Sequence, residues 1–319
     1  VSVVAPVYNE RACLGELVHR LDAVLRNRTY EIVLVDDGSR DGSWDEIVRL
    51  GGLYPAVKGL RFSRNFGHHV AITAGLDWAC GEWVVVMDSD LQDLPESIPL
   101  LLDKTNEGFD MVVARRQGKR HGAFKRATSR LFARTMTWLA DFEFDESVGV
   151  FRVMHRRVVT SVRAMRETPR VFTAMTDWVG FRRGSVDVPH GARFAGETKY
   201  PLRKQLVLAL RAALGFSEKP LQIAVYSGLV IAAAGLGYAG YIVLRALSGG
   251  IAVSGYASLM SAVLTIGGLG IATTGLVGLY VGSIFTHVKG RPLYILAASQ
   301  GLAAGVLPPD WEDGPGRLA

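Results

Sequence analysis

Three carboxylates, Asp88, Asp90 and Asp93, with Gln92 among them, follow directly on the apolar run Trp83 to Met87. Acids crowded at one place repel one another unless a cation lies between them. An Asp-X-Asp pair offers hard oxygen ligands, which suit Mg²⁺ or Mn²⁺ with waters and substrate phosphates completing the shell. Asp88, Asp90 and Gln92 are therefore the expected metal residues. Asp90 or Asp93 could instead cap a helix beginning near Pro95, and Asp93 fits that role. Asp36, Arg64 and Arg115 would complete a phosphate site around the metal. His68 and His69 open a helical stretch nearby; hydrogen bonding or capping suits them better than ligation of so hard an ion.

These residues need a scaffold that brings them to one edge. Short apolar runs alternate with helical stretches: VSVVAPV before Arg11 to Leu25, EIVLVDD before Gly42 to Leu50, GLRFS before Val70 to Ala79, EWVVVMD before Pro95 to Asn106, then DMVVARR. Such alternation predicts an α/β fold with a mostly parallel sheet. In these sheets ligands bind beyond the carboxyl ends of the strands. The unusual polar residues all fall there: Tyr8, Asn9 and Glu10, then Asp36 and Asp37, Arg64, Asp88 and Asp90, and Arg115. Neither a GxGxxG fingerprint nor a P-loop lysine motif is present, which argues against a dinucleotide-dependent dehydrogenase or an NTPase.

The chain has 319 residues, 49% of them hydrophobic and 21% charged, and its mean hydropathy is +0.20. That average joins a soluble half to a stretch, 221–288, almost free of charge. Ile223 to Leu244 gives 22 consecutive uncharged residues, and Ala257 to Thr286 gives a longer run. About 20 apolar residues cross a bilayer, so two transmembrane helices joined by a short glycine-rich loop are expected. Lys199, Arg203, Lys204, Arg211 and Lys219 before the first run, and Lys289 and Arg291 after the second, put both ends in the cytoplasm. Leu202, Leu206, Leu210 and Leu214 repeat at helical spacing before the first span, as in a helix lying in the headgroup plane. Cys13 and Cys80 cannot build a disulfide framework, and a reducing compartment follows. No signal peptide is visible, although the chain opens within a strand and without Met. The net charge is +6, and between Met111 and Ala140 there are eight Lys or Arg and no acid. That segment should meet an anion; beside a membrane anchor, and with no recognition module, nucleic acid is not expected.

The ordered series VSVVAPVYNE, VLVDDGSRDGS, RNFGHHVAITAGLDWACGEWVVVMDSDLQDLPE and RFAGETKYPLRK resembles the family 2 glycosyltransferases of GT-A fold. More narrowly it is similar to the polyprenyl-phosphate glycosyltransferases related to dolichol-phosphate mannose synthase. The resemblance covers nearly the whole chain. It implies a GT-A (Rossmann-like) catalytic domain at 1–200, a juxtamembrane amphipathic helix at 201–220, two transmembrane helices at 221–288 and a cytoplasmic tail at 289–319. It also implies that Pro6, Tyr8 and Glu10 border the nucleotide, that Asp36 accepts from the base with Asp37 beside it, and that Arg64 joins the donor site. Asp88 and Asp90 would hold the divalent metal on the donor diphosphate with Gln92 close by. Arg115 and the basic segment after it would meet the lipid phosphate, through Arg126 and Ser129, with Lys199 of the Gly-Glu-Thr-Lys-Tyr motif as a further contact.

The activity so implied moves one sugar, with inversion, from a nucleotide sugar to a polyprenyl phosphate at the cytoplasmic membrane face. UDP-glucose is the first expectation and GDP-mannose the second, and a homo-oligomer is implied. Val150 departs from the pattern: relatives have Gly-Asp-Phe-Arg where this chain has Gly149-Val150-Phe151-Arg152. Asp145 and Glu146 are the nearest carboxylates in sequence. A processive polysaccharide synthase is an alternative, but it would carry a Gln-X-X-Arg-Trp motif and more spans. An inactive membrane scaffold is another, motivated by Val150.

Overall fold

The computed structural model of the chain describes residues 1–116, 148–168, 170–189, 191, 219–248 and 255–302. The chain divides into two compact units, one containing the sheet and the residues from Arg291 onward, the other two long helices.

In the first unit β1 (Ser2–Val7), α1 (Arg11–Leu25), β2 (Glu31–Asp36), α2 (Ser43–Leu53), β3 (Val57–Phe62), α3 (His68–Trp78) and β4 (Trp83–Val86) alternate as the apolar runs anticipate. A 3₁₀ turn at Pro95–Ser97 leads into α4 (Ile98–Thr105) and β5 (Met111–Arg116). Then come β6 (Val148–His155), α5 (Arg156–Ala164), α6 (Phe172–Trp178) and β7 (Arg183–Val188), and after the long helices β8 (Leu296–Gln300). The eight strands form one sheet in the order β7-β5-β6-β4-β1-β2-β3-β8. β1 to β4 are mutually parallel, β6 runs antiparallel between β4 and β5, and β8 lies antiparallel on the outer edge of β3. β1 and β2 are buried along their whole length, as a strand covered on both faces must be. Leu14, Leu17, Val18 and Leu21 of α1 are fully buried and join Val3, Ala5 and Val7 of β1 in the core.

The carboxyl ends of β1, β2, β3 and β4 consequently open on the same edge. Residues 296–300, expected in a tail, instead extend the sheet. The second unit holds α7 (Lys219–Leu247) and α8 (Tyr256–Val288). Among the described residues one segment, Ile266–Thr286 in α8, is long and apolar enough to cross a membrane, with mean hydropathy 1.5 and none of it buried. The apolar run of α7 is shorter, Leu221–Gly235. Uncharged is not the same as apolar there: Tyr226, Ser227, Tyr238, Tyr241 and several glycines carry no charge but lower the hydropathy. The amphipathic segment expected at 201–214 lies outside the described residues.

Candidate active site

The loop after β4 is shaped by its own side chains. Ser89 Oγ donates to the Pro6 carbonyl of β1 at 2.9 Å, and Asp90 Oδ1 accepts from the backbone N–H of Gln92 at 3.1 Å, an Asx-type turn. Leu91 takes a left-handed conformation, φ +62°, which a leucine adopts only where its surroundings enforce it. Part of that enforcement is the Gly191 N–H, which donates to the Gln92 carbonyl at 2.9 Å. The result leaves Asp88 partly open, at 29% side-chain exposure, while Asp90 and Asp93 are buried.

Asp93 does not cap the following turn, whose N-cap is Leu94 without a side-chain bond. It accepts instead from Arg116 Nη2 at 3.3 Å, and the same nitrogen lies 3.8 Å from Asp88 Oδ2. The guanidinium beside the acids thus belongs to Arg116 and not to Arg115, the residue expected from the sequence. Neighbouring strand residues face opposite sides, so only one of the two can reach the cluster. The pairing of β5 with β6 is irregular between Val113 and Arg115, which hides that parity from the sequence. Arg116 passes over Gly149 of β6: a Cβ there would lie 2.7 Å from Nη2. Arg152, fully buried, donates to the Gly149 carbonyl at 2.8 Å and to Thr176. Burial without a carboxylate bond lowers its pKa to about 10, which still leaves it charged. Val150 beside it is buried, so β6 presents no carboxylate at that position.

His68 joins the two halves of the site. Its Nε2 lies 3.4 Å from Asp88 Oδ1, and its ring feels both Asp37 and Asp90. Desolvation lowers its pKa below the usual histidine value, against the opposing pull of these two acids. His69 is held more firmly in the neutral form, with its pKa lowered to about 4 by burial and by the nearby His68 and Arg170. Its Nδ1 faces the Phe172 N–H at 3.5 Å.

The β1 and β2 ends form the other wall. Asn9, φ +56°, receives Arg40 N–H on its side chain and donates its own N–H to Ser39 Oγ at 2.9 Å. Asp36 Oδ1 accepts from Ser39 N–H at 3.0 Å, and its Oδ2 lies 3.6 Å from Arg61 Nε. Asp37 accepts from the N–H groups of Phe66 and Gly67 at 2.6 and 3.0 Å. Burial still raises its pKa above the usual value, with Asp36 adding to the rise. Gly38, φ +71°, presses on the backbone of Arg64 and Asn65, where a Cβ would come within 2.7 Å. Tyr8 is half exposed at the mouth, Glu10 accepts from Cys13 Sγ at 3.6 Å, and Arg64 stacks over the Phe66 ring at 4.1 Å.

Asp88, Asp90, Gln92, Pro6, Asp36 and Asp37 therefore border one edge of the sheet. Arg126, Ser129 and Lys199, the expected lipid-phosphate contacts, lie outside the described residues, as do Asp145 and Glu146. Among the described residues no three His, Cys, Asp or Glu converge as a self-sufficient metal nest. An open Asp88 next to a buried, backbone-anchored Asp90 fits a divalent ion that takes its remaining ligands from water and phosphate.

The family model for glycosyl transferase family 2 matches residues 2–184. This chain belongs to that family. It is 38% identical to the uncharacterized glycosyltransferase YkcC of Bacillus subtilis strain 168, over 94% of each chain. It is 35% identical to the bactoprenol glucosyl transferase of Shigella phage SfII, over 94% of this chain and 98% of that one. Among solved structures, glucosyl-3-phosphoglycerate synthase from Mycobacterium tuberculosis in complex with Mn²⁺, UDP and phosphoglyceric acid matches with a TM-score of 0.50. The match is 20% identical and spans 67% of this chain and 76% of that one, a likeness of fold. A glycosyltransferase with a mixed α/β sheet of GT-A type is thereby established.

Proposed function

We propose that the chain transfers one sugar, with inversion, from a nucleotide sugar to a polyprenyl phosphate, with UDP-glucose the first donor to test and GDP-mannose the second. The observation that carries this is the convergence of Asp88, Asp90, Asp93, Arg116 and His68 opposite Asp36 and Asp37. The full-length similarity to proteins named bactoprenol glucosyl transferases supports the lipid acceptor. Asp36 and Asp37, with Pro6, Tyr8, Glu10 and Arg64 around them, would receive the nucleoside. Asp88 and Asp90, with Gln92 beside them, would hold Mg²⁺ or Mn²⁺, whose charge offsets that growing on the departing nucleoside diphosphate. Arg116 adds a fixed positive group at the same corner.

The nucleophile explains why Val150 is tolerable. A phosphate monoester has a second pKa near 6 and is mostly dianionic at pH 7. No base is needed to strip a proton from it, and an apolar residue at position 150 costs nothing in that step.

The two long helices form a membrane hairpin in this reading. Support comes from β8, which follows α8 in the chain yet pairs with β3. A chain that leaves the sheet unit after β7 and returns to it crosses the bilayer an even number of times. If α8 spans, α7 must span as well, its tyrosines and glycines notwithstanding. The positive residues at both ends put the sheet in the cytoplasm.

The direct test is transfer of labelled sugar to polyprenyl phosphate by the membrane-reconstituted chain with Mg²⁺ or Mn²⁺, the lipid product being weighed by mass spectrometry. One hexose added to one lipid phosphate, abolished in Asp90→Ala, is the expected result. Undiminished turnover in that variant refutes the metal assignment, and polymeric product refutes single transfer.

A further inference from the structure

The C-terminal segment touches the sheet at more than its edge. Tyr294 is buried, stacks on Phe62 with ring centroids 5.2 Å apart and planes 19° apart, and donates its hydroxyl to Asp77 of α3 at 3.0 Å. Next to it the Ile295 carbonyl accepts the Ser63 N–H at 2.9 Å, and Leu296 to Gln300 then pair with β3. Phe62 meets Phe66 edge-on at 5.5 Å, and the Phe66 and Gly67 N–H groups are the donors that hold Asp37. Contacts therefore run without a gap from Tyr294 through Phe62 to the loop 63–67 and on to Asp37.

We infer that Tyr294 is a positioning residue for the donor site: by clamping Phe62 from behind, the segment 294–300 holds the loop 63–67 in the conformation that fixes Asp37. This rests on the reading of Asp36 and Asp37 as the nucleoside wall. The physical case is that the loop is held at its two ends, and Phe62 is the end that the segment 294–300 controls. Gly67, φ +107°, is tied to α3, its carbonyl accepting from Val70 and Ala71 at 3.0 Å, whereas Arg64 and Asn65 between the ends are exposed, with only Gly38 packed against their backbone. Tyr294, by contrast, is anchored to Asp77, which Arg166 grips with two 2.9 Å bonds and Arg163 approaches at 3.4 Å. A rigid post thus stands behind the Phe62 end of an exposed loop. The same arrangement couples nucleotide binding to the chain that has just left α8.

The test uses the full chain in detergent micelles, with UDP or GDP, whichever the unaltered protein binds, as the probe, and amide hydrogen exchange as the independent readout. Tyr294→Ala should speed exchange at residues 63–67 and weaken nucleotide binding roughly three- to tenfold, the worth of one aromatic pair. Tyr294→Phe keeps the stack and loses only the hydroxyl bond to Asp77, so it should lose clearly less than Tyr294→Ala. Phe62→Leu, which keeps bulk but loses the stack, covers the case in which Tyr294→Ala does not fold. Unchanged exchange at 63–67 and unchanged affinity in Tyr294→Ala or Phe62→Leu overturn the inference. Equal loss in Tyr294→Phe overturns it also, because the hydroxyl rather than the clamp would then matter. Asp37→Asn separates the two readings: if it too binds normally, the nucleoside wall has been misassigned, whereas weakened binding there beside normal binding in Tyr294→Ala fails the clamp alone.

Discussion

Arg116 and Arg115 stand side by side on β5, and the chemistry separates them sharply. Only Arg116 contacts Asp88 and Asp93, so Arg116→Gln should lower the rate of sugar transfer about a hundredfold, the usual effect of removing one preorganised donor to developing charge. Arg115→Gln should stay within a few-fold of the unaltered enzyme. Steady-state rates on the two variants decide between them, and the reverse order would return the role to Arg115. Gly149 supplies a second check on the same geometry. The atoms that a new Cβ would meet are the far end of the Arg116 side chain, which can swing away. Gly149→Ala should therefore melt close to the unaltered protein yet lose transfer to nearly the same degree as Arg116→Gln. A large loss of melting temperature would mean that the glycine serves the strand and not the arginine.

At the scale of elements, α3 carries more than its apolar pattern shows. Asp77 is fully buried against Arg163, Arg166 and Tyr294. Replacing it with Ala removes the buried carboxylate that Arg163, Arg166 and Tyr294 share, at a cost of about 3 kcal/mol in unfolding free energy. Urea titration measures it, and a loss below about 1 kcal/mol would show that water reaches Arg163. Two turns earlier His69 is neutral, its pKa lowered from 6.5 to about 4. A lowered folded-state value means that the unfolded chain binds the proton more readily. The stability is whole above pH 6.5 and falls between there and about pH 4, by about 3 kcal/mol in all. His69→Asn, whose side-chain oxygen can still accept from Phe172 N–H, should flatten that part of the stability profile. These buried polar contacts were not legible in the sequence, because their partners come from α5, the segment after it, the start of α6 and from beyond α8. The first five strands were legible, each being a short apolar run with polar residues at its carboxyl end. β6 was hidden by the buried Arg152 at its centre, β7 by its polar edge character, and β8 because Leu-Ala-Ala-Ser-Gln becomes a strand only through β3. The acid pair was visible from residue types alone, but the choice between Arg115 and Arg116 depended on a strand irregularity that no spacing reveals.

For the whole molecule the governing constraint is that β8 hydrogen-bonds to β3. If the long helices cross a bilayer as proposed, whatever lies between β7 and β8 must begin and end on one side of it. Isolated hydropathy points to one crossing, since among the described residues only Ile266–Thr286 meets the length and apolarity required. In the proposed reading, a sheet that holds both β3 and β8 calls for an even number. The exposed Ile271, Ile284, Phe285 and Val288 of α8 would meet lipid in the proposed arrangement. Ser248, just after α7, should then face the outside, and Leu302, just after β8, the cytoplasm. With Cys13 and Cys80 replaced by Ser, a membrane-impermeant maleimide applied to intact cells should label Ser248→Cys and should reach Leu302→Cys only after lysis. Labelling of Leu302→Cys from outside would mean a single crossing and would break the β3–β8 pairing as the native arrangement. If both positions need lysis, the two helices lie along the membrane surface and the hairpin is wrong, while the sheet, and the catalytic corner it builds, would stand.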